Sequence, residues 1–130
     1  MAIIYTRDIP KAEDIYALYE QLNWNEFLKL TPIELQSAHA GSFICLSAYD
    51  ENELVGIGRI ISDGTINAYL CGIGVLPAYR NKGIGGEIVK SLALKCRDQK
   101  LHLQLLCNDE LMPYYEKLGF EKFIRGMKFN

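Results

Sequence analysis

The sequence predicts an α/β (α+β) fold, a mixed sheet with helices on its faces. Two observations carry this. Period-two strand runs joined by short polar turns fill the first half, after two helical stretches. A strand–loop–helix–strand–helix order fills the second half. One hundred and thirty residues make a single domain, 1–130, with one substantial core.

Each element has a local reason. Ile3 to Thr6 is a short first strand. Lys11 to Leu22 is helical, with Ile15, Leu18, Tyr19 and Leu22 on one face. Residues 23–30 are an apolar and aromatic connection. Thr31 can cap a second helix, Pro32 suits its first position, and Glu34 completes a capping box; it should run to about Ala40. Phe43 to Tyr49 and Leu54 to Ile61 read as strands two and three around the polar turn at 50–53. Asp63-Gly64 turns into a fourth strand, Ile66 to Val75. A third helix follows, with Ile84, Ile88, Val89, Leu92 and Cys96 on one side. Leu101 to Cys107 is strand five, a fourth helix ends at Gly119, and a short C-terminal strand pair closes the chain. That gives six to seven strands and about four helices.

The stretch between strand four and helix three is the most informative. Arg80-Asn81-Lys82-Gly83-Ile84-Gly85-Gly86 is basic and glycine-rich and leads into a helix. Glycines let a backbone approach a ligand closely, and the unpaired N–H groups of a first helical turn favour negative charge. A phosphate is the expected guest, most simply a pyrophosphate. A nucleotide P-loop needs Ser or Thr after its Lys, and here Lys82 precedes the glycines with neither following. The dinucleotide fingerprint needs a third Gly where Ile88 stands.

Arg80-x-x-Gly83-x-Gly85 after a strand resembles the acetyl-CoA pyrophosphate loop of the GNAT acetyltransferase superfamily. Asn108, followed by Tyr115-Glu116-Lys117-Leu118-Gly119-Phe120, resembles the other half of that site, in the same order and at a similar separation. Further likeness, at Val55 to Arg59, Ser62 to Gly64, Asn67-Ala68 and Gly126-Met127, is to small bacterial relatives of plastid serotonin-type (arylalkylamine) N-acetyltransferases. It covers residues 43–129, about two thirds of the chain.

The resemblance implies a twisted, mostly antiparallel sheet, splayed between strands four and five where acetyl-pantetheine enters. It implies acetyl-CoA as co-substrate and direct transfer of acetyl to an amine in a ternary complex. The backbone of Ile73, Gly74 and Val75 would pair with the pantetheine arm. Arg80, Asn81, Lys82, Gly83, Ile84, Gly85 and Gly86 would hold the pyrophosphate, and Asn108 the pantetheine. Tyr115 would be the general acid, with Tyr114 its competitor. Gly72 stands where related enzymes often have Asp, and strand five has no acid, so no base is assigned; Asp63, Glu34 and His39 remain candidates through water. His102 reads as an edge histidine. Trp24, Phe27, Leu30 and Tyr69 are the expected acceptor-pocket residues.

Composition narrows the rest. A net charge of −2 argues against broad nucleic-acid binding. No apolar run is long enough to span a membrane, and the N-terminus lacks signal-peptide features. Four separated cysteines and two histidines without ligand spacing argue against a metal and for a reducing cytoplasm. The apolar run Phe123 to Phe129 suggests a homodimer, although it could instead finish its own sheet. The main reading is a small-molecule amine N-acetyltransferase. The alternatives are a protein acetyltransferase acting on an N-terminus or lysine, and a non-catalytic acetyl-CoA sensor.

Overall fold

A computed structural model describes residues 2–130. Five strands form one sheet in the order β1-β2-β3-β4-β5: β1 Ile3–Thr6, β2 Ile44–Asp50, β3 Glu53–Ser62, β4 Asn67–Val75 and β5 His102–Leu105. The first three pairings are antiparallel and the last is parallel. The α-helices are α1 Ala12–Gln21, α2 Asn25–Leu28, α3 Pro32–Ala40, α4 Ile84–Asp98 and α5 Met112–Lys117.

The five-stranded sheet corrects the expected six to seven. The C-terminal pair is missing among the described residues, where 121–130 carry no regular structure. Its β-prone side chains find no buried face: Phe123, Ile124, Met127 and Phe129 are all exposed. Five helices replace four because α2 forms one turn inside the connection at 23–30. Lys29, in the left-handed conformation, ends it.

The layers follow from the residue pattern. On one face lies α4, whose predicted stripe Ile84, Ile88, Val89, Leu92 and Cys96 is fully buried. It packs on β2, β3, β4 and β5. Gly58 permits this approach, since a methyl there would meet Ile73 Cδ1 at 2.5 Å and Ile88 Cγ2 at 2.7 Å. The other face is covered by α1, which packs on β3 and on α3. The capping box forms as its residues predict: Thr31 Oγ1 accepts from Glu34 N–H (3.2 Å), and Glu34 Oε1 accepts from Thr31 N–H (2.9 Å).

A polar pair lies inside the α1–α3 layer. His39 is completely buried, and its Nε2 is 2.8 Å from the Tyr19 hydroxyl. Its Nδ1 is 3.5 Å from Cys45 Sγ. Burial first, and the nearby Arg59 second, push the imidazole down to about 4. His39 is therefore neutral at pH 7, while in the unfolded chain it titrates near 6.5. The folded value is the depressed one, so this contribution to stability is complete above pH 6.5 and is lost as pH falls toward 4. Denaturant unfolding should show about 3 kcal/mol of stability lost over that window through this group. His39→Gln should flatten the dependence; an unchanged dependence would mean that His39 does not set it.

Candidate active site

The chain makes a fork. β4 and β5 pair from Asn67↔His102 to Leu70↔Leu105 and no further, while β4 runs on to Val75. A bulge sits where they part. Ile57 of β3 faces Gly74, but Arg59 faces Cys71, so β4 carries one extra residue. Gly72 supplies it at φ 65°, which an L side chain rarely tolerates. Past the bulge the β5-facing edge of β4 has no strand partner.

A cavity of about 310 Å³ lies in the fork. Leu70, Cys71, Gly72 and Ile73 line one limb and Leu105 and Leu106 the other, with Trp24 and Tyr115 completing the wall. Trp24 lies directly on the β4 backbone. A methyl on Gly74 would be 2.5 Å from its Cη2, and Tyr19 holds the indole edge-on at 5.1 Å between ring centroids.

The basic loop lies beyond the end of β4. Pro77–Tyr79 forms a 3-10 turn, and the Tyr79 hydroxyl donates to Asp50 Oδ2 at 2.6 Å. That bond chiefly pushes the phenol up to about 12. Arg80 Nε donates to the Val75 carbonyl (3.1 Å), tying the loop to the strand. Asn81 and Gly83 are both left-handed, at φ 62° and 83°. The fifteen-residue helix α4 begins next, and no side chain caps it. Its first N–H groups are free for an anion. Arg80, Asn81, Lys82 and Gly83 are exposed there, Gly85 and Gly86 are partly covered, and Ile84 turns into the core.

The two adjacent tyrosines of α5 take different places. Tyr115 is half-buried against Tyr114 and Phe120 and reaches the fork cavity. Burial, then Tyr114 and Cys107, push its phenol up, so it stays protonated at neutral pH. Tyr114 instead points at the helix N-terminus, its hydroxyl 2.9 Å from where a Gly85 methyl would stand. Asn108 is exposed after β5, and its carbonyl accepts from Leu111 N–H (3.0 Å).

Of the four expected acceptor-pocket residues, only Trp24 lines this cavity. Phe27 is 89% exposed. Leu30 borders a separate groove with Tyr16 and Glu20. Tyr69 is exposed on β4, before the fork. No histidine or carboxylate lines the cavity. Asp63 is spent on its turn, where Oδ1 accepts from Thr65, Ile66 and Asn67 N–H, and Glu34 on the capping box. His102 is exposed against Phe123. No cluster of three metal-ligating side chains occurs among the described residues.

One residue near the fork escaped the sequence reading. Arg59 faces Cys71 across the ladder, and its Nε would be 3.3 Å from a methyl on Gly72. That Nε is buried without a hydrogen-bond partner. The visible signal was a lone cation inside an apolar strand, Glu53–Ser62.

Comparison with known proteins agrees with this geometry. The sequence profile of the acetyltransferase (GNAT) family matches residues 4–120. A chloroplastic GCN5-related N-acetyltransferase of Arabidopsis thaliana is 34% identical over 80 residues, covering 60% of this chain and 31% of the relative. A histone acetyltransferase of Glycine max is 24% identical over 128 residues, covering 88% and 54%. The chain thus spans about a third to a half of these relatives' lengths. Among solved structures, a probable acetyltransferase of meticillin-resistant Staphylococcus aureus superposes with a TM-score of 0.83 at 24% identity, covering 99% of both chains. Glucosamine-6-phosphate N-acetyltransferase of Arabidopsis thaliana gives 0.71 at 17%, again over 99% of both. These two likenesses speak for the fold, and the profile match for the family: the chain belongs to the GNAT family of acetyltransferases.

Proposed function

We propose that this chain moves acetyl from acetyl-CoA to the primary amine of a small molecule, by direct transfer in a ternary complex. One observation carries the reading. An uncapped helix N-terminus, an unpaired strand edge and a cavity with a protonated phenol follow one another along β4. Members of this family use acetyl-CoA, and the residues present suit it. The loop offers N–H donors with Arg80 and Lys82 beside them. The edge of Ile73, Gly74 and Val75 offers backbone groups to an extended arm, as in strand addition. The cavity is apolar enough to hold an acetyl group.

Acetyl-CoA supplies an activated thioester. Arg80 to Gly86 fix the pyrophosphate, β4 aligns the arm, and Asn108 steadies it at the fork. Trp24 and Gly72 bound the space in which the amine meets the carbonyl. Orientation of this kind supplies up to ~7–11 kcal/mol of a barrier. Tyr115 donates its hydroxyl proton to the departing sulfur. No side chain of the lining takes the ammonium proton, so the amine reacts from its neutral fraction, and the proton its nitrogen sheds on becoming an amide restores the Tyr115 phenol left deprotonated by the sulfur.

A cavity of about 310 Å³ favours a small acceptor. A relative named as a histone acetyltransferase keeps a protein acceptor as the second reading, and lysine peptides belong in the same acetylation panel. A protein that binds acetyl-CoA yet acetylates no acceptor would be a sensor. The free thiols suit a reducing compartment, the cytoplasm or, given the chloroplastic relative, a plastid. No helix among the described residues is long and apolar enough to cross a membrane. We also read a homodimer from the apolar run at 123–129 and the outer edge of β5, which pairs with no further strand among the described residues.

Three outcomes test these statements. Gly85→Glu should weaken acetyl-CoA at least about tenfold by calorimetry, because its side chain meets Tyr114 and puts a carboxylate at the anion site. Unchanged affinity in the folded variant removes the loop from the site. Tyr115→Phe should keep that affinity and lower turnover about 100-fold. Full activity would make Tyr115 a packing residue. Light scattering at micromolar concentration should give the mass of two chains; one chain's mass refutes the dimer.

A further inference from the structure

Arg59 has no role in the transfer just described, and the fold does not neutralise it. Its side-chain partners are neutral hydroxyls, Ser42 Oγ at a long 3.4 Å from Nη1 and the Tyr19 phenol, and its Nε has no partner. The titratable groups around it are Tyr19, His39, Cys45 and Cys71. Burial favours the neutral form of all four. The cluster therefore holds one positive charge and no negative one. A buried guanidinium N–H without a partner is costly, and such a group calls for an explanation.

Its position suggests the use. Arg59 is half-buried and lies against Gly72, which lines the fork cavity. With no side chain on Gly72, the Arg59 stem and Nε come within 3.3–3.8 Å of where a methyl would stand, directly beside this part of the lining. The cavity lining contains no carboxylate to pair with an ammonium. Charge recognition of the acceptor must then act on another part of it.

We propose that the acceptor carries an oxyanion, a carboxylate or a phosphate, close to its amine, and that Arg59 receives it at the floor of the fork. A guanidinium fork matches either group through paired N–H donors. Ser42, at the far end of the Arg59 side chain, holds one terminal nitrogen in place. The position of the amine rests on the acetyl-transfer reading; the anion site does not.

The test uses matched amines: phenylalanine against phenylethylamine for a carboxylate, and O-phosphoethanolamine against ethanolamine for a phosphate. Acetylation is measured as free CoA. Binding is measured separately by the fluorescence of Trp24, the only tryptophan, which lines the cavity. In one pair or both, the anionic member should be preferred by about 10- to 100-fold, the worth of a hydrogen-bonded charge. Arg59→Met should abolish the preference and leave acetyl-CoA affinity unchanged, and Arg59→Lys should keep part of it. Because the loop is common to all the proteins, any anion bound there cancels in the comparison. No preference in the wild type, or the same preference in Arg59→Met, overturns the anion site. If amines are acetylated without an Arg59-dependent preference, only the anion site falls. If nothing is acetylated but fluorescence still shows that preference, the anion site stands and the transfer reading falls.

Discussion

The site depends on one extra residue in β4. Opposite Ile57 and Arg59 the strand has to fit Gly74 and Cys71, and Gly72 absorbs the surplus at φ 65°. A bulge interrupts the regular ladder and bends its own strand. Here the bend coincides with the end of β4–β5 pairing at Leu70↔Leu105. The cavity, the unpaired strand edge and the contact with Arg59 all follow from that single position. An alanine would lose the backbone conformation and press its methyl toward the Arg59 side chain.

Missing side chains elsewhere in the sheet extend this effect. Gly58 lets α4 settle on one face, and Gly74 lets Trp24 settle on the other, each at distances a methyl could not share. The two contacts clamp β3 and β4 just beside the fork. A wall built on packed strands holds its geometry better than one built on a loop. The loop is itself anchored twice, by Arg80 to Val75 and by Tyr79 to Asp50. Asn81, Lys82 and Asn108 remain exposed around this anchored frame.

What sequence could show was local. The stripe of α4 and the Thr31–Glu34 box are written in neighbouring residues, and both are present. The apolar run at 123–129 misled because β-propensity states a preference without naming a partner strand. Phe27 misled for a related reason: an aromatic residue in an apolar stretch need not face inward, and one turn of helix points it to solvent. The Tyr19–His39–Arg59 group stayed invisible because its members lie twenty residues or more apart, on α1, α3 and β3. Their meeting is tertiary, and no spacing encodes it.

The electrostatics of that group bear on the missing base. A like charge nearby disfavours a cation, and Arg59 already acts in this sense on His39, adding to the effect of burial. An ammonium held in the fork would feel the same repulsion and the same partial desolvation. Both shift the bound amine toward its neutral, nucleophilic form. An oxyanion on the acceptor would offset part of this while anchoring the molecule, so its distance from the amine would set how readily the nitrogen deprotonates. On the cavity wall, burial works in the opposite chemical sense at Tyr115, raising the phenol so that its proton is retained. In the proposed reaction the same burial would favour a neutral donor and a neutral acceptor. Acetyl transfer in such a site would ask for no carboxylate between them.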